Sequence, residues 1–470
     1  MVLSYFIHLF FFNSLGCASQ TQVFDFELNQ KNDAETSSTV DLSIIWVEVD
    51  DDLVRVAMDP QPDDFERTLW VQSGSNKEEY RPESDIFEMN LDDGEYIFWV
   101  EYTSETDEVY GQDNKIRQYV GTNRLILRSE ITLPFAMDVW AQDDLAVIAG
   151  GLNNDISMLL VDMTDVFEPT ILYQFEDIGY VRDVKIFDNL LFAAVDADSD
   201  GCTLCDGVGI RTYDISDPSL PELLSEISDP TTSVHNLYYD KGFLYVASQS
   251  ERTLAIFDVR TPEEPNRIAS WEPNMMAPPM VLDPGIGAHD MVVIDDRLYV
   301  AHGLGFSVVD VSNPYLPKDM NDQYVDFGTH NIWPSQDGEY VFTTREISSG
   351  PLQIWQEDDE GFELLYTDAH DIITVHNVHI HGDYAFVSWY ADGVYIFDVS
   401  DVSMPMEVGH FDTYEQDVPM LDAGPDGQAP PPIMGAWGIC PYGNHVVVGD
   451  TMRGMLLFDF FPKKINIDDQ

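Results

Sequence analysis

Short apolar runs alternating with polar positions, and broken by Asp, Asn and Gly turns, extend from Asp41 almost to the end of the chain. In the first stretch Ile45, Val47 and Val49 alternate, then Val54, Val56 and Met58. Phe87, Met89 and Leu91 lead into Asp92-Asp93-Gly94, which is followed by Tyr96, Phe98, Val100 and Tyr102. A period of two punctuated by turn residues predicts an antiparallel sheet with one buried face. Residues 41–122 are therefore expected to form a small β-sandwich of roughly immunoglobulin-like size.

Beyond it the pattern becomes a repeat. Apolar positions at Val139, Val184, Leu237, Met291, Ile332, Val378 and Ile439 each follow Asp138, Asp183, Asn236, Asp290, Asn331, Asn377 or Gly438. Each begins a unit of roughly 40–60 residues with a turn, a second apolar run such as LYVA at Leu244–Ala247, and a third run ending in Asp. Those terminal aspartates are Asp162, Asp214, Asp258, Asp310, Asp398 and Asp459. A Pro-bearing turn and a fourth short run close most units; Ser233–Trp271 shows all four. Four strands per unit with no helical period predict an all-β fold, a seven-bladed β-propeller over 123–470 preceded by the sandwich. The last unit stops after its third strand, and LILRSEITL (Leu125–Leu133) resembles the fourth-strand segment at Glu222–Ser228. Leu125–Leu133 is expected to pair into the last blade and close the ring, removing exposed sheet edges.

RTYDISDPSLP (Arg211–Pro221) and YIFDVSDVSMP (Tyr395–Pro405) carry the Asp-x-Ser-x-Pro turn of the units. In unit length, strand order and this turn, about 135–462 resembles the LVIVD-repeat family of bacterial exported proteins. The resemblance implies a seven-bladed propeller outside the cytoplasm and carries no activity with it. Unit five departs most, because Gln353–Tyr366 lacks the turn.

Charge and the N-terminal region narrow the setting. Against 22 Lys+Arg stand 85 Asp+Glu, a formal net charge of −63. Such a surface repels phosphate backbones, which argues against nucleic acid and fits a salty medium or cation binding. Residues 1–20 hold an apolar run that is short for a membrane span and suits a signal peptide. Ser14-Leu15-Gly16-Cys17 resembles a lipobox, with Cys17 as the lipidated residue, although Ser14 stands where Leu is usual. Cleavage nearby without lipidation is the alternative. The protein is expected to be exported, tethered to the cell envelope by a lipid or secreted, touching membrane only through that anchor. Residues 21–40 are polar and read as a linker.

Three constellations could carry chemistry. His235, His289, His330 and His376 hold the same place in four consecutive units, and Met137, Arg182 and Trp437 hold it in the others. One reading is hydrogen bonding within each blade. The other is a transition-metal site at the channel mouth, and hence a metal-dependent enzyme such as an oxidoreductase, with His370, His379 and His381 as substitutes or supporting partners. Second, Asp196-Ala197-Asp198-Ser199-Asp200-Gly201 has alternating carboxylates suited to calcium, with Asp206 as a further ligand. No helix-flanked loop accompanies it, and a solvated acidic loop is the alternative. Directly after it, Cys202 and Cys205 form a CxxC, which in an exported chain favours a local disulfide over zinc. Third, long insertions at Trp271–Gly287 and Asp412–Ala436 precede the first strands of units four and seven. By propeller convention they share a face with the histidines, which suggests a binding or scaffold role toward a protein, peptide or small molecule. No nucleophile elbow, phosphate-cradling loop, HExxH or dinucleotide fingerprint occurs.

Overall fold

The structure, a computed structural model, describes residues 44–466 apart from 51, 62–64, 105–108, 111–114, 151–155, 177, 197–208, 229–233, 249–252, 274–286, 325–327, 348, 359–360, 371–372 and 415–433. Every regular element among the described residues is a β-strand. No helix there is long and apolar enough to cross a membrane.

The chain divides into two compact units. In the smaller, Lys464–Asn466, Ile44–Asp50, Leu53–Met58 and Ile86–Asn90 form one antiparallel sheet in that order. A second sheet is built on Phe65–Ser73 and Gly94–Ser104. Both contribute to one core that includes Val47, Val49, Val54, Val56, Leu69, Val71, Phe98 and Val100. The expected alternation is broken at Ile45. A bulge between Ile44 and Trp46 shifts the register, so Ile44 is buried and Ile45 turns outward.

Among the described residues the larger unit contains seven four-stranded sheets. The first runs through Val139–Gln142, Leu145–Ala149, Ile156–Asp162 and Thr170–Glu176 in chain order. Five more follow the same order, and their first strands are Tyr180–Phe187, Val234–Asp240, Ala288–Ile294, Thr329–Pro334 and Val378–His381. In the seventh, Ala436–Tyr442, His445–Asp450 and Gly454–Phe460 are completed by Leu125–Ile131 as the outer strand. Each first strand packs against the first strand of the next sheet, and the seventh returns to the first.

Local chemistry explains these sheets. The turns joining first to second strands need positive φ, supplied by Asp143, Asp188, Asp295 and Asp296, and by Lys241 with Gly242. At the ends of third strands, Asp162, Asp310 and Asp398 each accept the backbone N–H two residues on and the hydroxyl of Thr164, Ser312 or Ser400. That side-chain turn is the physical content of the Asp-x-Ser signature. Unit five lacks it and instead extends its outer strands to Leu352–Asp358 and Gly361–Asp368, where Gly361 N–H donates to Asp358 at 2.8 Å.

Candidate metal centre in a ring of first strands

The Asp/Asn position that opens each unit has a stitching role. Asp138 accepts from the Val184 N–H at 3.2 Å, Asp183 from Leu237 at 2.7 Å, and Asn331 from Val378 at 2.9 Å. Each bond joins one first strand to the next. Asn331 also donates to Asp290 at 2.7 Å. At the seventh unit a side chain is excluded, since a Cβ on Gly438 would lie 2.6 Å from the Met137 carbonyl oxygen.

One residue earlier stand the histidines, and the structure brings all four together. Neighbouring ring centroids are 4.1 Å apart for His235 and His289, 4.2 Å for His289 and His330, and 4.3 Å for His330 and His376. The hydrogen bonds run between sheets rather than within blades. His289 Nδ1 meets the His330 carbonyl at 3.2 Å, His330 Nδ1 the His376 carbonyl at 3.2 Å, and His376 Nδ1 the Trp437 carbonyl at 2.8 Å. Hydroxyls of Thr344 and Ser388 donate to the His376 and Trp437 carbonyls, fixing those acceptors.

A carbonyl only accepts, so Nδ1 of each of these three imidazoles carries the proton and Nε2 keeps a lone pair. Burial pushes His289 and His330 down to about 3 and lowers His235 and His376 as well. The rings are therefore neutral at pH 7. This is the state in which imidazole ligates metals, with the other nitrogen held by a carbonyl.

Sequence reasoning missed Glu346. It follows the second strand of unit five (Tyr340–Arg345), and one carboxylate oxygen lies 3.3 Å from His330 Nε2. Tyr390, at the same place in unit six, donates its hydroxyl to the other oxygen at 2.5 Å. Ligand atoms of His289, His330 and Glu346 all lie within 4.8 Å of one another. A comparison of the residues that close the second strands (Gly303, Glu346 and Tyr390) offers the signal, since an acid at that position faces the histidine layer.

The rest of the ring differs in character. Trp437 packs against His376 and Tyr390 with centroids 4.6 and 5.3 Å away. Arg182 stacks over Tyr180 at 4.6 Å, and the Tyr180 hydroxyl reaches Met137 Sδ at 3.0 Å.

Also on the first strands, Trp140, Tyr238, Trp333, His379 and Lys185 are all buried, and Trp140 packs near both Tyr238 and His379. The ammonium lies 3.0 Å from Asp138, contacts Asp183, and sits 4.8 Å from the Trp140 ring centroid. Burial opposes its charge, but the two carboxylates hold Lys185 protonated. Among the expected substitutes, His379 stacks on Trp333 at 4.1 Å, and His370 pairs with Asp392 and stacks on Trp389 at 3.8 Å. His381 lies at the end of its strand and is kept largely uncharged by burial. None of these three joins the cluster of His289, His330 and Glu346.

Cys17, Asp198, Asp200, Cys202, Cys205 and Asp206 lie outside the described residues, as does the side chain of Asp196. Residues 274–286 and 415–433, the bulk of the two insertions, are outside them too.

Four-stranded antiparallel sheets in chain order, ringed on their first strands, define a β-propeller. The LVIVD repeat matches residues 287–320 and 374–413, which fall on the fourth and sixth sheets, so the chain carries LVIVD repeats. No curated protein matches the sequence. Among solved structures, a protein from Bacteroides uniformis provisionally described as a 6-phosphogluconolactonase is similar with a TM-score of 0.50 at 13% identity, covering 69% of this chain and 97% of that one. The β-propeller domain of Cps50 (Swd1) from Myceliophteria thermophila gives 0.49 at 10% identity, over 71% and 98%. A functionally unknown protein from Desulfotomaculum acetoxidans gives 0.47 at 13% identity, over 64% and 96%. Likeness at these identities speaks to the fold alone.

Proposed function

We propose that the chain is a seven-bladed β-propeller, preceded by a β-sandwich, whose histidine ring is a transition-metal centre. His289, His330 and Glu346 form its heart, with His235 and His376 on either side. One observation carries this reading: His330 Nε2 and a Glu346 oxygen face each other at 3.3 Å as acceptor and acceptor. Burial works against a proton on the ring, so a shared cation resolves the contact. Two ligands at about 2.1 Å from one tetrahedral ion stand about 3.4 Å apart, close to the separation found. Two imidazoles with one carboxylate suit zinc or ferrous iron, and a metal there would supply Lewis acidity or redox capacity.

The same reading includes export, anchoring through Cys17, and binding of a ligand by the two insertions. Its support is the N-terminal apolar run and the position of the two insertions, the first ending directly before Ala288 and the second at Ala436, which neighbour His289 and Trp437 in sequence. Calcium at Asp196, Asp198, Asp200 and Asp206 rests on the carboxylate spacing.

Metal analysis tests the centre. Purified protein should carry or take up about one transition-metal ion per chain and melt higher with it. His289→Ala and Glu346→Gln should lose that ion while staying folded. If wild type takes up no metal and shows no thermal shift with zinc, iron(II) or cobalt(II), the proposal fails.

A further inference from the structure

We infer that Thr344 and Ser388 are positioning residues of the metal centre, bracing His330 and His376 as its rigid side and leaving His289 on the side that yields. This rests on the proposed metal centre and adds which ligands the protein holds still and which it lets move.

The four histidine units are not built alike. One place on the second strand, a residue beyond the partner of the repeated apolar position, sets them apart. It is Ala247 in unit three, Ala301 in unit four, Thr344 in unit five and Ser388 in unit six. Of these four units, only the two that carry His330 and His376 have a hydroxyl there.

Each hydroxyl is bonded on both sides. Thr344 accepts from the Asn331 N–H at 3.2 Å and donates to the His376 carbonyl at 2.5 Å. Ser388 accepts from the Asn377 N–H at 3.1 Å and donates to the Trp437 carbonyl at 2.5 Å. Those two carbonyls are the ones that hold Nδ1 of His330 and of His376. A carbonyl oxygen has two lone pairs, so one takes the imidazole and the other the hydroxyl. The acceptor is thereby tied to the same sheet as the histidine it orients, and ring and carbonyl cannot turn independently. His289 relies on the His330 carbonyl, to which Ala301 has no hydroxyl to offer.

Burial follows the same division. His330 and His376 are 6% and 4% exposed, whereas His289 is only partly buried. Tyr390 adds a further brace on the closed side through its bond to Glu346. Groups that orient a ligand from behind set how tightly it binds. A centre braced in this way keeps its metal on His330 and Glu346 while coordination changes on the side of His289.

The test uses the full chain as wild type, Thr344→Val, Thr344→Ser and Ser388→Ala. Ring mobility is read by NMR relaxation of histidine-labelled, metal-free protein. Cobalt(II) affinity is read by competition with a chromophoric chelator, together with the visible spectrum and the melting temperature. In metal-free wild type the His330 and His376 rings should be less mobile than that of His289. Thr344→Val should bring His330 to the mobility of His289 and weaken cobalt binding about 10–100-fold. Thr344→Ser keeps the hydroxyl and should restore both readings. Ser388→Ala should mobilise His376 and alter the cobalt spectrum. Variants that melt lower yet keep wild-type cobalt affinity and spectrum would show that the hydroxyls only complete the sheets, and would overturn the inference with the metal centre standing. Equal mobility of the three rings in wild type would do the same, and needs no variant to fold. Failure of wild type to hold cobalt would overturn both.

Discussion

The Nδ1 atom of His330 lies 3.2 Å from the backbone carbonyl oxygen of His376. His289 stands in the same relation to His330, and His376 to Trp437. Each imidazole is thereby oriented by the next unit and locked as the Nδ1–H tautomer. Nitrogen NMR of the metal-free protein at pH 7 should show these three rings neutral, with the proton on Nδ1. Addition of zinc should move the Nε2 resonances of His289 and His330 and leave Nδ1 protonated. A charged imidazolium signal from either residue would remove the basis for ligation.

Tyr390 orients Glu346 through the oxygen that does not face His330. Tyr390→Phe keeps the ring between His376 and Trp437, whose centroids are 4.9 and 5.3 Å away, and removes only the donor. Loss of a hydrogen bond that orients a ligating carboxylate typically weakens metal binding about 10–100-fold. Competition with a chromophoric chelator should show a loss of that size, with the far-ultraviolet spectrum unchanged. Wild-type affinity in the variant would exclude Glu346 as a ligand oriented by Tyr390.

The repeat was readable because several of its parts have local causes. Positive-φ turns select Asp, Asn and Gly, and the Asx turns select Asp-x-Ser or Asp-x-Thr. Period-two burial selects the apolar runs. The histidines were readable because repetition placed them at one position in four units. Their partners were not, because period two indicates the face of a strand and not whether a ring bonds within a sheet or across to the next. Glu346 is harder to read for a related reason: the corresponding residue is Gly303 in unit four and Tyr390 in unit six, so no repeated residue marks it and only the position in the unit points to it. Ile45 fits an alternation that a bulge interrupts, and a bulge leaves no sign in the apolar pattern.

Lys185 is held by Asp138 and Asp183 among buried aromatic rings. Removing one member of a buried charge cluster costs about 3–5 kcal/mol, because the remaining charges lose their partner without regaining water. Lys185→Met should therefore lower the free energy of urea unfolding by that order. Burial and the charge of Asp138 push the Asp183 carboxyl up, whereas Lys185, overcoming burial, holds Asp138 below the ordinary range. Asp183→Asn should accordingly cost less than Asp138→Asn. A Lys185→Met variant within about 1 kcal/mol of wild type would show that the cluster is not closely coupled.

The last expectation concerns acid. His379 lies against Trp333 and near Trp140, Lys185 and Asp138, and burial pushes it down to about 3. In the unfolded chain an imidazole titrates near 6.5. Between pH 6.5 and about 3, the unfolded state therefore binds a proton that the folded state does not, and stability falls as the pH drops through this window. One such residue contributes a slope of up to about 1.4 kcal/mol per pH unit. His302, pushed by burial to about 4, acts in the same direction. Asp240 opposes them. Burial raises it to about 6, so its contribution is present below the ordinary carboxylate range and is lost as the pH rises through 6. The His379 contribution can be isolated by difference. His379→Phe preserves a flat ring against Trp333, so its urea-unfolding free energy between pH 4.5 and 6 should vary less steeply than that of metal-free wild type by about 1.4 kcal/mol per unit. The two curves should converge or cross on acidification. Parallel curves would mean that His379 takes up a proton in the folded protein, which its burial beside Lys185 argues against.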